Sequence, residues 1–527
     1  MIEVEVHNSL RAFLRECKET YWPHHLTMAR LVARALRLER SALIQVGAPT
    51  SANVRYRLSY LAPALMWSGP VIVVATEATQ QRLLKVEIPQ LQGWLSTEKE
   101  IVVGDALPDP NFSGLLITSP SSWLSDRVAC REAHRIACRE ADRFTTQTKF
   151  GHGIPTILDG VDDLETWTRQ QLTATITPSD WEELIQAFPH RIEAIRDARV
   201  QLTKEIFQHP ANPYECYLLE STEKQILSHL FAVLCLDQED SAKFSGLPAS
   251  WQIFWQRFTT PGQMYWAQIA RNQGLFTVYC GPIEVATTLK PIWLEQPVVL
   301  IGGALELEAE APIYRQQLGL GDLTCLKFSL DRHSELIQLY VPDSFPLPNT
   351  PQFQAALLQE IRRLLVISTV VEGLTVLLVS DVPLKAQVGA EIAAEFGSRV
   401  QVEKTCLDDN GILVTGWEFW LEHQDVLPAP HLLLIATLPI PSLENPLVAG
   451  RVADYKQQRQ DWFRLYLLPE ALNVLQRAIA PVRTTQGVVA LLDSRTIHRS
   501  YGQQVLTALS PFARINYIDP NLFSLES

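Results

Sequence analysis

Short, continuous apolar runs along the chain predict a set of buried β-strands. Each run is rich in β-branched residues and ends at a turn or charged residue, which is typical of strands buried on both faces of a parallel sheet. The runs with this pattern are Val71–Thr76, Ile157–Asp159, Pro297–Gly303, Val376–Ser380, Gly411–Gly416, His431–Leu438 and Gly487–Asp493.

Helical patterns lie between many of these runs. Met28–Leu38 carries apolar side chains at the spacing of one helix face, and Phe353–Val366 has the same periodicity. Ser179, followed three residues later by Glu182, forms a capping-box signature at the start of another helical stretch. Because strands alternate with helices, the pattern predicts α/β domains with parallel sheets.

The predicted strands fall into two groups, which indicates two parallel-sheet domains in an α/β protein. We assign residues 1–165 plus 275–330 to the first domain and residues 351–527 to the second. Residues 166–274 are predicted as a mostly helical insertion, because helical patterns dominate at Trp181–Phe207 and Glu223–Cys235. A Pro-rich stretch at Val341–Pro348 predicts a linker at residues 331–350.

Composition excludes several classes of protein. Hydrophobic residues make up 47% of the 527 residues and charged residues 20%, a globular balance that excludes a mostly disordered chain. No apolar run reaches the roughly 20 residues that span a bilayer, so no membrane partner is expected. The acidic N-terminus lacks the basic start and apolar core of a signal peptide, and a cytoplasmic location is therefore expected. Without a CxxC pair, no metal site is predicted.

The charge of the chain argues against strong nonspecific binding to nucleic acid. The formal net charge is −13, whereas such binding depends on Lys and Arg side chains that neutralise phosphates. The distribution is uneven, because Arg451 to Arg514 holds nine basic and four acidic residues. This segment forms either a local basic face or an ordinary solvated surface.

A series of motifs, in order along nearly the whole chain, resembles the DinG/XPD-type superfamily 2 DNA helicases. In the first half these are Val73–Gln81, Leu116–Leu124, Ile157–Glu165, Phe276–Val285 and Leu300–Leu305. In the second half they are Glu418–Glu422, Thr437–Leu447, Leu468–Ala471, Gln476–Arg483 and Gly487–Arg495. The resemblance implies that both sheet domains are RecA-like and that the chain descends from an ATP-dependent enzyme.

The segment that resembles the nucleotide-binding loop lacks most of its chemistry. A working loop needs glycines that wrap the phosphates, a Lys for the β- and γ-phosphates, and a Ser or Thr for Mg²⁺. In this chain Gly47 and Thr50 are followed by Ser51, where a glycine is expected. The next two residues are Ala52, where the Lys is expected, and Asn53, where the Ser or Thr is expected. Gly47, Thr50, Ser51 and Asn53 are therefore a degenerate nucleotide-binding loop.

The two catalytic motifs of the family are also incomplete. The resemblance assigns Asp159 to the Mg²⁺-binding position, but Gly160 replaces the Glu that activates water, and Asp162 replaces the following His. In the later motif Gln476 and Arg483 remain, whereas Ala480 stands where an arginine finger is expected. A finger contributes about 10³–10⁵ in rate, so we predict no meaningful ATP hydrolysis.

The resemblance also bears on cofactors and nucleic acid. No cysteine lies between Gln81 and Gly114, where related helicases hold an iron–sulfur cluster, so no cluster is expected. No other cofactor is predicted, and ATP with Mg²⁺ enters only if residual nucleotide binding persists. The resemblance implies nucleic-acid contacts by Thr76, Arg477 and Arg495.

Three functional hypotheses follow from these residues. The first is a helicase-fold protein without ATP hydrolysis that binds single-stranded DNA or a protein complex. The second is a working DinG-type DNA helicase with unusual motifs. The third is a structural subunit of a larger complex, which the acidic composition favours over strong DNA binding.

Overall fold

Two parallel β-sheets, each of seven strands, organise most of the protein. The computed structural model describes residues 2–16, 22–47, 56–129, 148–235, 246–330, 335–368, 372–408, 410–515 and 517. Both sheets belong to one compact unit, formed by residues 1–164, 288–440 and 468–527. A second compact unit comprises residues 165–287 and 441–467.

The first sheet is buried on both faces and has only parallel neighbours. In spatial order its strands are Thr324–Lys327, Ala42–Gln45, Val298–Gly302, Thr156–Asp159, Val71–Val74, Leu115–Thr118 and Ile101–Val103. The five inner strands are buried along their whole length, because both faces are covered by helices. We call this sheet and the helices that flank it the first lobe.

The second sheet has the same construction. In spatial order its strands are Val400–Val402, Ile412–Thr415, Thr375–Leu378, Leu432–Ile435, Val488–Leu491, Ile337–Tyr340 and Phe512–Ile515. All neighbouring strands are again parallel. We call this sheet and its helices the second lobe.

The helices that connect these strands have the lengths expected for α/β units. In the first lobe they include Ile2–Glu16, His25–Leu38, Leu58–Met66, Glu77–Arg82, Ile88–Leu95, Ala286–Glu295 and Pro312–Gln317, with helical residues at 120–129. In the second lobe they include Phe353–Ser368, Val382–Phe396, Trp417–His423, Leu468–Thr484, Arg495–His498 and Gly502–Leu509.

The predicted α/β class with two parallel sheets is confirmed. Each apolar run that predicts a strand coincides with a strand of one of the two sheets. Six of the seven strands are one to four residues shorter than the run, and Thr156–Asp159 is one residue longer. Because these strands have no solvent-facing side, continuous apolar sequence was a sufficient signal.

The second unit contains an antiparallel sheet that the helical patterns did not predict. Its strands, in spatial order, are Ala174–Ile176, Leu275–Pro282, Gln263–Ala270 and Cys216–Leu218. Helices of this unit include Leu164–Leu172, Pro178–Ala187, Ile192–Gln208, Ser221–Cys235, Ala249–Phe258 and Pro446–Gln457. The predicted insertion at 166–274 is thus helices packed on a sheet.

The bounds of the predicted domains differ from the observed units in three places. The strand Leu275–Pro282 pairs within the antiparallel sheet, although its residues were assigned to the first parallel-sheet domain. The strand Ile337–Tyr340 lies in the stretch predicted as a linker. Residues 441–467 belong to the second unit. Local patterns indicate that a strand forms but not which sheet it joins, which explains these differences.

A buried histidine joins two helices of the first lobe. His25 begins the helix His25–Leu38, and its Nδ1 atom is hydrogen bonded to the hydroxyl of Ser59 at 2.8 Å. Trp22 packs edge-on against the His25 ring at 5.3 Å between centroids. Burial, together with the neighbouring His24, lowers the pKa of His25 from 6.5 to about 4.

Among the described residues, no helix is both long enough and apolar enough to cross a membrane.

We expect His25 to make the stability of the protein depend on pH between about 6.5 and 4. In this range the unfolded chain binds a proton at the histidine and the folded chain does not, so the free energy of unfolding falls as the pH falls. The shift corresponds to about 3 kcal/mol, and the loss is complete near pH 4. Urea unfolding of wild type and His25→Gln across this range measures it. Parallel pH profiles for the two proteins would contradict the assignment.

Candidate functional site

The candidate site lies at the carboxyl ends of the central strands of the first sheet. Asp159 is the last residue of the strand Thr156–Asp159 and is a register partner of Ile301 in the adjacent strand. Its side chain is buried, with 3% of the residue exposed. A carboxylate in such a position needs hydrogen-bond donors or a countercharge, because an isolated buried charge is very unfavourable.

Three side chains from one short segment surround the Asp159 carboxylate. The hydroxyl of Tyr56 donates to Oδ1 at 2.6 Å. The guanidinium of Arg57 donates through Nε to Oδ2 at 2.8 Å, and the hydroxyl of Tyr60 donates to the same oxygen at 3.0 Å. Tyr56 and Tyr60 are four residues apart, which places both side chains on one side of the turn that opens the helix Leu58–Met66.

The two tyrosines remain hydrogen-bond donors over the whole physiological range. Burial, followed by the charge of Asp159, raises the pKa of Tyr56 and of Tyr60 well above 10. Arg57 is also held in place by a hydrogen bond from Nη2 to the hydroxyl of Thr79 at 3.4 Å. The cluster therefore has a permanent cation and two neutral donors on one carboxylate.

This arrangement does not fit a divalent metal ion at Asp159. A Mg²⁺ ion takes oxygen ligands at about 2.0–2.1 Å and needs lone pairs that point at it. Both oxygens of Asp159 already accept hydrogen bonds, and the Arg57 guanidinium supplies the positive charge. Three hydrogen bonds and the Arg57 guanidinium therefore already compensate the charge of Asp159 without a metal ion.

The degenerate nucleotide-binding loop is only partly within the described residues. Gly47 has φ of +79°, and a Cβ atom there would lie 2.7 Å from Cδ2 of Leu330. The glycine is thus required by local backbone and packing. Thr50, Ser51 and Asn53 lie outside the residues that the structure describes.

The residue after Asp159 adopts a backbone conformation that suits glycine. Gly160, where the resemblance places a water-activating glutamate, has φ of +84°. A glutamate rarely adopts this left-handed conformation. The backbone of this turn therefore disfavours a glutamate at position 160.

Asp162 connects this turn to the end of the neighbouring strand. Its carboxylate accepts the backbone N–H groups of Gly303 at 2.7 Å and Ala304 at 2.8 Å. Burial raises the pKa of Asp162, while Arg477 and these two N–H groups oppose the rise. Asp162 is therefore a structural bridge rather than a free base.

One face of the helix Leu468–Thr484 contacts this part of the first lobe. Arg477 makes a bidentate ion pair with Asp163, with distances of 2.7 Å from Nη1 to Oδ1 and 3.1 Å from Nη2 to Oδ2. Asn473 donates from Nδ2 to the carbonyl of Ala304 at 2.8 Å. Ala480 and Ala304 form a buried apolar contact, with 3% and 2% exposed. The position of the expected arginine finger is thus filled by a methyl group.

The two retained residues of this motif serve the second lobe itself. Gln476 donates to the carbonyl of Leu472 in its own helix at 3.2 Å. Arg483 is buried and donates to the backbone carbonyls of Glu335, Leu509, Ser510 and Pro511. Burial lowers the pKa of Arg483 to about 10, which still leaves the side chain charged at neutral pH.

Thr76, Arg477 and Arg495, for which nucleic-acid contacts are expected, each contact a different partner in the structure. Thr76 is exposed and donates to the hydroxyl of Thr79 at 3.2 Å. Arg495 is paired with the buried carboxylate of Asp493, with Nη2 at 2.5 Å from Oδ2. Arg477, as described above, is paired with Asp163. The arginines of this set are therefore already neutralised within the chain.

Tyr56, Arg57 and Tyr60 are the members of the site that no motif predicts. The available signal was the spacing of two tyrosines around an arginine, directly after a degenerate loop and before an apolar helix. Spacing alone does not identify their common partner, because Asp159 is about 100 residues away along the chain, with a separation of 103 from Tyr56.

Comparison with known proteins gives partial matches in sequence. No protein-family model matches the chain. A segment of 134 residues is 28% identical to the ATP-dependent DNA helicase YoaA of Haemophilus influenzae, covering 25% of this chain and 21% of that protein. A segment of 271 residues is 23% identical to the ATP-dependent DNA helicase YoaA of Escherichia coli, covering 48% of this chain and 42% of that protein. The matches span less than half the length of these relatives.

The match in structure is more extensive. The solved structure of S. tokodaii Xpd4 is similar with a TM-score of 0.58 and 13% identity, covering 94% of this chain and 100% of that chain. The chain shares the fold of that protein, with two parallel-sheet domains. At this identity the fold is all that the likeness shows, and the chemistry has to be argued from the residues.

We expect removal of one member of the Arg57–Asp159 pair to destabilise the first lobe. Arg57→Gln leaves a buried carboxylate without its countercharge, at a cost of about 3 kcal/mol in the free energy of unfolding. The urea midpoint measures this cost.

The matched control is Arg514→Gln, which removes a solvent-exposed pair with Asp343 at 3.2 Å. This change should leave the midpoint nearly unchanged, because exposed pairs are screened by water. Equal, small effects of both changes would show that the Arg57 pair contributes no more than a surface contact.

We expect that replacing Ala480 by arginine disrupts the helicase fold rather than restoring a catalytic group. Ala480→Arg forces a long charged side chain into the contact with Ala304 and should cost about 2 kcal/mol or more. Ala386→Arg, at an exposed site on the helix Val382–Phe396, is the matched control and should have little effect. Thermal unfolding and ATP hydrolysis are measured on both. A stable Ala480→Arg protein with new ATP hydrolysis would contradict this interpretation.

Proposed function

We propose that this protein is a helicase-fold binding module that does not hydrolyse ATP. The observation that carries the proposal is the Arg57–Asp159 ion pair. Phosphoryl transfer in P-loop enzymes needs a metal ion held near the phosphates by a carboxylate. Here that carboxylate is the hydrogen-bond acceptor of an arginine and two tyrosines.

Two further positions support the absence of hydrolysis. Gly160 supplies no group to activate water, and Ala480 supplies no charge to stabilise the transferred phosphoryl group. Together with Ala52 at the expected lysine, these changes remove three separate contributions to catalysis. Even one of them, the finger, is worth about 10³–10⁵ in rate.

Single-stranded DNA is the ligand that we assign to the module. Both curated relatives carry the name of an ATP-dependent DNA helicase, and this chain resembles them in part of its length. Binding without turnover uses the fold as a surface and needs no nucleotide. The neutralised Arg477 and Arg495 imply that other cations carry phosphate contacts.

A second candidate function is that of a structural subunit in a protein complex. It is favoured by the net charge of −13 and by the pairing of basic side chains within the chain. Nucleic acid requires a local surplus of cations, whereas a protein partner does not. Binding measurements distinguish the two candidates.

We expect the purified protein to bind a single-stranded DNA oligonucleotide without hydrolysing ATP. Fluorescence anisotropy across a salt series should give an affinity that falls as salt rises, with a log–log slope of about −0.7 for each phosphate contact. ATP hydrolysis is read in the same samples with and without DNA. It should equal that of Asp159→Asn, which serves as the matched control.

Two other results of this measurement would change the proposal. If the protein neither binds the DNA nor hydrolyses ATP, the ligand is a protein partner rather than single-stranded DNA, and the proposal of a non-hydrolysing module stands. DNA-stimulated hydrolysis that disappears in Asp159→Asn would refute the proposal and favour a working helicase.

A further inference from the structure

The helix Leu468–Thr484 presents three consecutive turns of one face to the first lobe. Asn473, Arg477 and Ala480 are spaced by four and three residues, which aligns them along one side of a helix. Their partners are the carbonyl of Ala304, the carboxylate of Asp163 and the methyl group of Ala304. A polar, an ionic and an apolar contact thus follow one another along a single line.

We propose that this line of contacts holds the two lobes together without a nucleotide. In a working enzyme of this kind an arginine of the second lobe meets a phosphate of the bound nucleotide. In this protein Arg477 meets the Asp163 carboxylate, which has the same charge sign and the planar, two-oxygen geometry that suits a guanidinium. Asp163 therefore gives Arg477 an anionic partner that belongs to the protein itself.

The partners on the first lobe are themselves fixed in position. The Asp162 carboxylate accepts hydrogen bonds from the backbone N–H groups of Gly303 and Ala304. These bonds fix the turn that contains Asp163 relative to Ala304, the residue that Asn473 and Ala480 contact. The hydroxyl of Tyr314 donates to the carbonyl of Val161 at 2.6 Å and so fixes the same turn. An interface with prearranged partners loses less conformational entropy when it closes.

The interface is closed to water at its apolar end and partly open at its ionic end. Ala304 and Ala480 are almost fully buried, whereas the side chains of Arg477 and Asp163 are 27% and 40% exposed. The ion pair alone would be weakened by salt, but the adjacent apolar contact and the Asn473 hydrogen bond are not. Closure by these contacts does not depend on a bound ligand.

This inference goes beyond the proposed function, because it concerns the spacing of the lobes and requires no binding of nucleic acid. Hydrogen–deuterium exchange of the full chain tests it, with and without Mg²⁺ and a non-hydrolysable ATP analogue. In the wild type, the analogue should leave exchange in residues 302–305 and 468–484 unchanged. Protection that appears only when the analogue is added would overturn the proposal.

Variants of the pair provide the second arm of the test. Arg477→Gln and Asp163→Asn should each speed exchange in these segments by about tenfold, as expected for loss of a coupled contact. The double variant should be no faster than either single variant, and the exchanged pair Asp163→Arg with Arg477→Asp should recover part of the protection. Single variants with wild-type exchange would overturn the proposal.

Controls separate loss of the interface from loss of folding. Arg514→Gln, which removes an exposed ion pair within the second lobe, should leave exchange in both segments unchanged. If Arg477→Gln does not fold, Arg477→Lys keeps the charge but loses the two-point geometry, and it should still exchange faster than the wild type. Wild-type exchange in Arg477→Lys would show that the bidentate pair does not hold the lobes.

Discussion

The buried carboxylate of Asp159 imposes a constraint that the rest of the first lobe satisfies. Its charge lies at the carboxyl end of a central strand, where water is excluded and a partner is necessary. Arg57 supplies the opposite charge, and the hydroxyl groups of Tyr56 and Tyr60 donate two further hydrogen bonds to the carboxylate. The segment before the helix Leu58–Met66 is thereby tied to the centre of the sheet. A site of this kind in a working enzyme leaves that carboxylate to a metal ion.

Contacts between protein groups also join the two lobes. The Asp163 carboxylate pairs with Arg477, and the Ala480 methyl group, at the position where the resemblance places an arginine finger, packs on Ala304. Under the proposed function these contacts do not respond to a nucleotide. The two parallel sheets supply the buried apolar core on which the fold rests, and Asp159 lies at the end of a central strand of the first sheet.

The buried strands of both sheets could be predicted from the sequence, whereas the partners of some strands and side chains could not. Val71–Val74 and Leu432–Ile435 are continuous apolar strands, so their burial on both faces was visible in the pattern. The strand Leu275–Pro282 was assigned to the wrong sheet because pairing partners are set by tertiary packing. The identities of Gly160 and Ala480 could be read from the sequence, but the contact between Arg57 and Asp159 could not be predicted from it. That contact joins residues 102 positions apart.

The most direct test of this account is a crystal structure grown with Mg²⁺ and a non-hydrolysable ATP analogue. We predict that Arg57 remains bonded to Asp159, with no metal ion on that carboxylate and with Arg477 still paired to Asp163. A structure in which Arg57 has turned away, Mg²⁺ lies on Asp159 and Arg477 contacts a phosphate would contradict it. The protein would then be a nucleotide-responsive helicase.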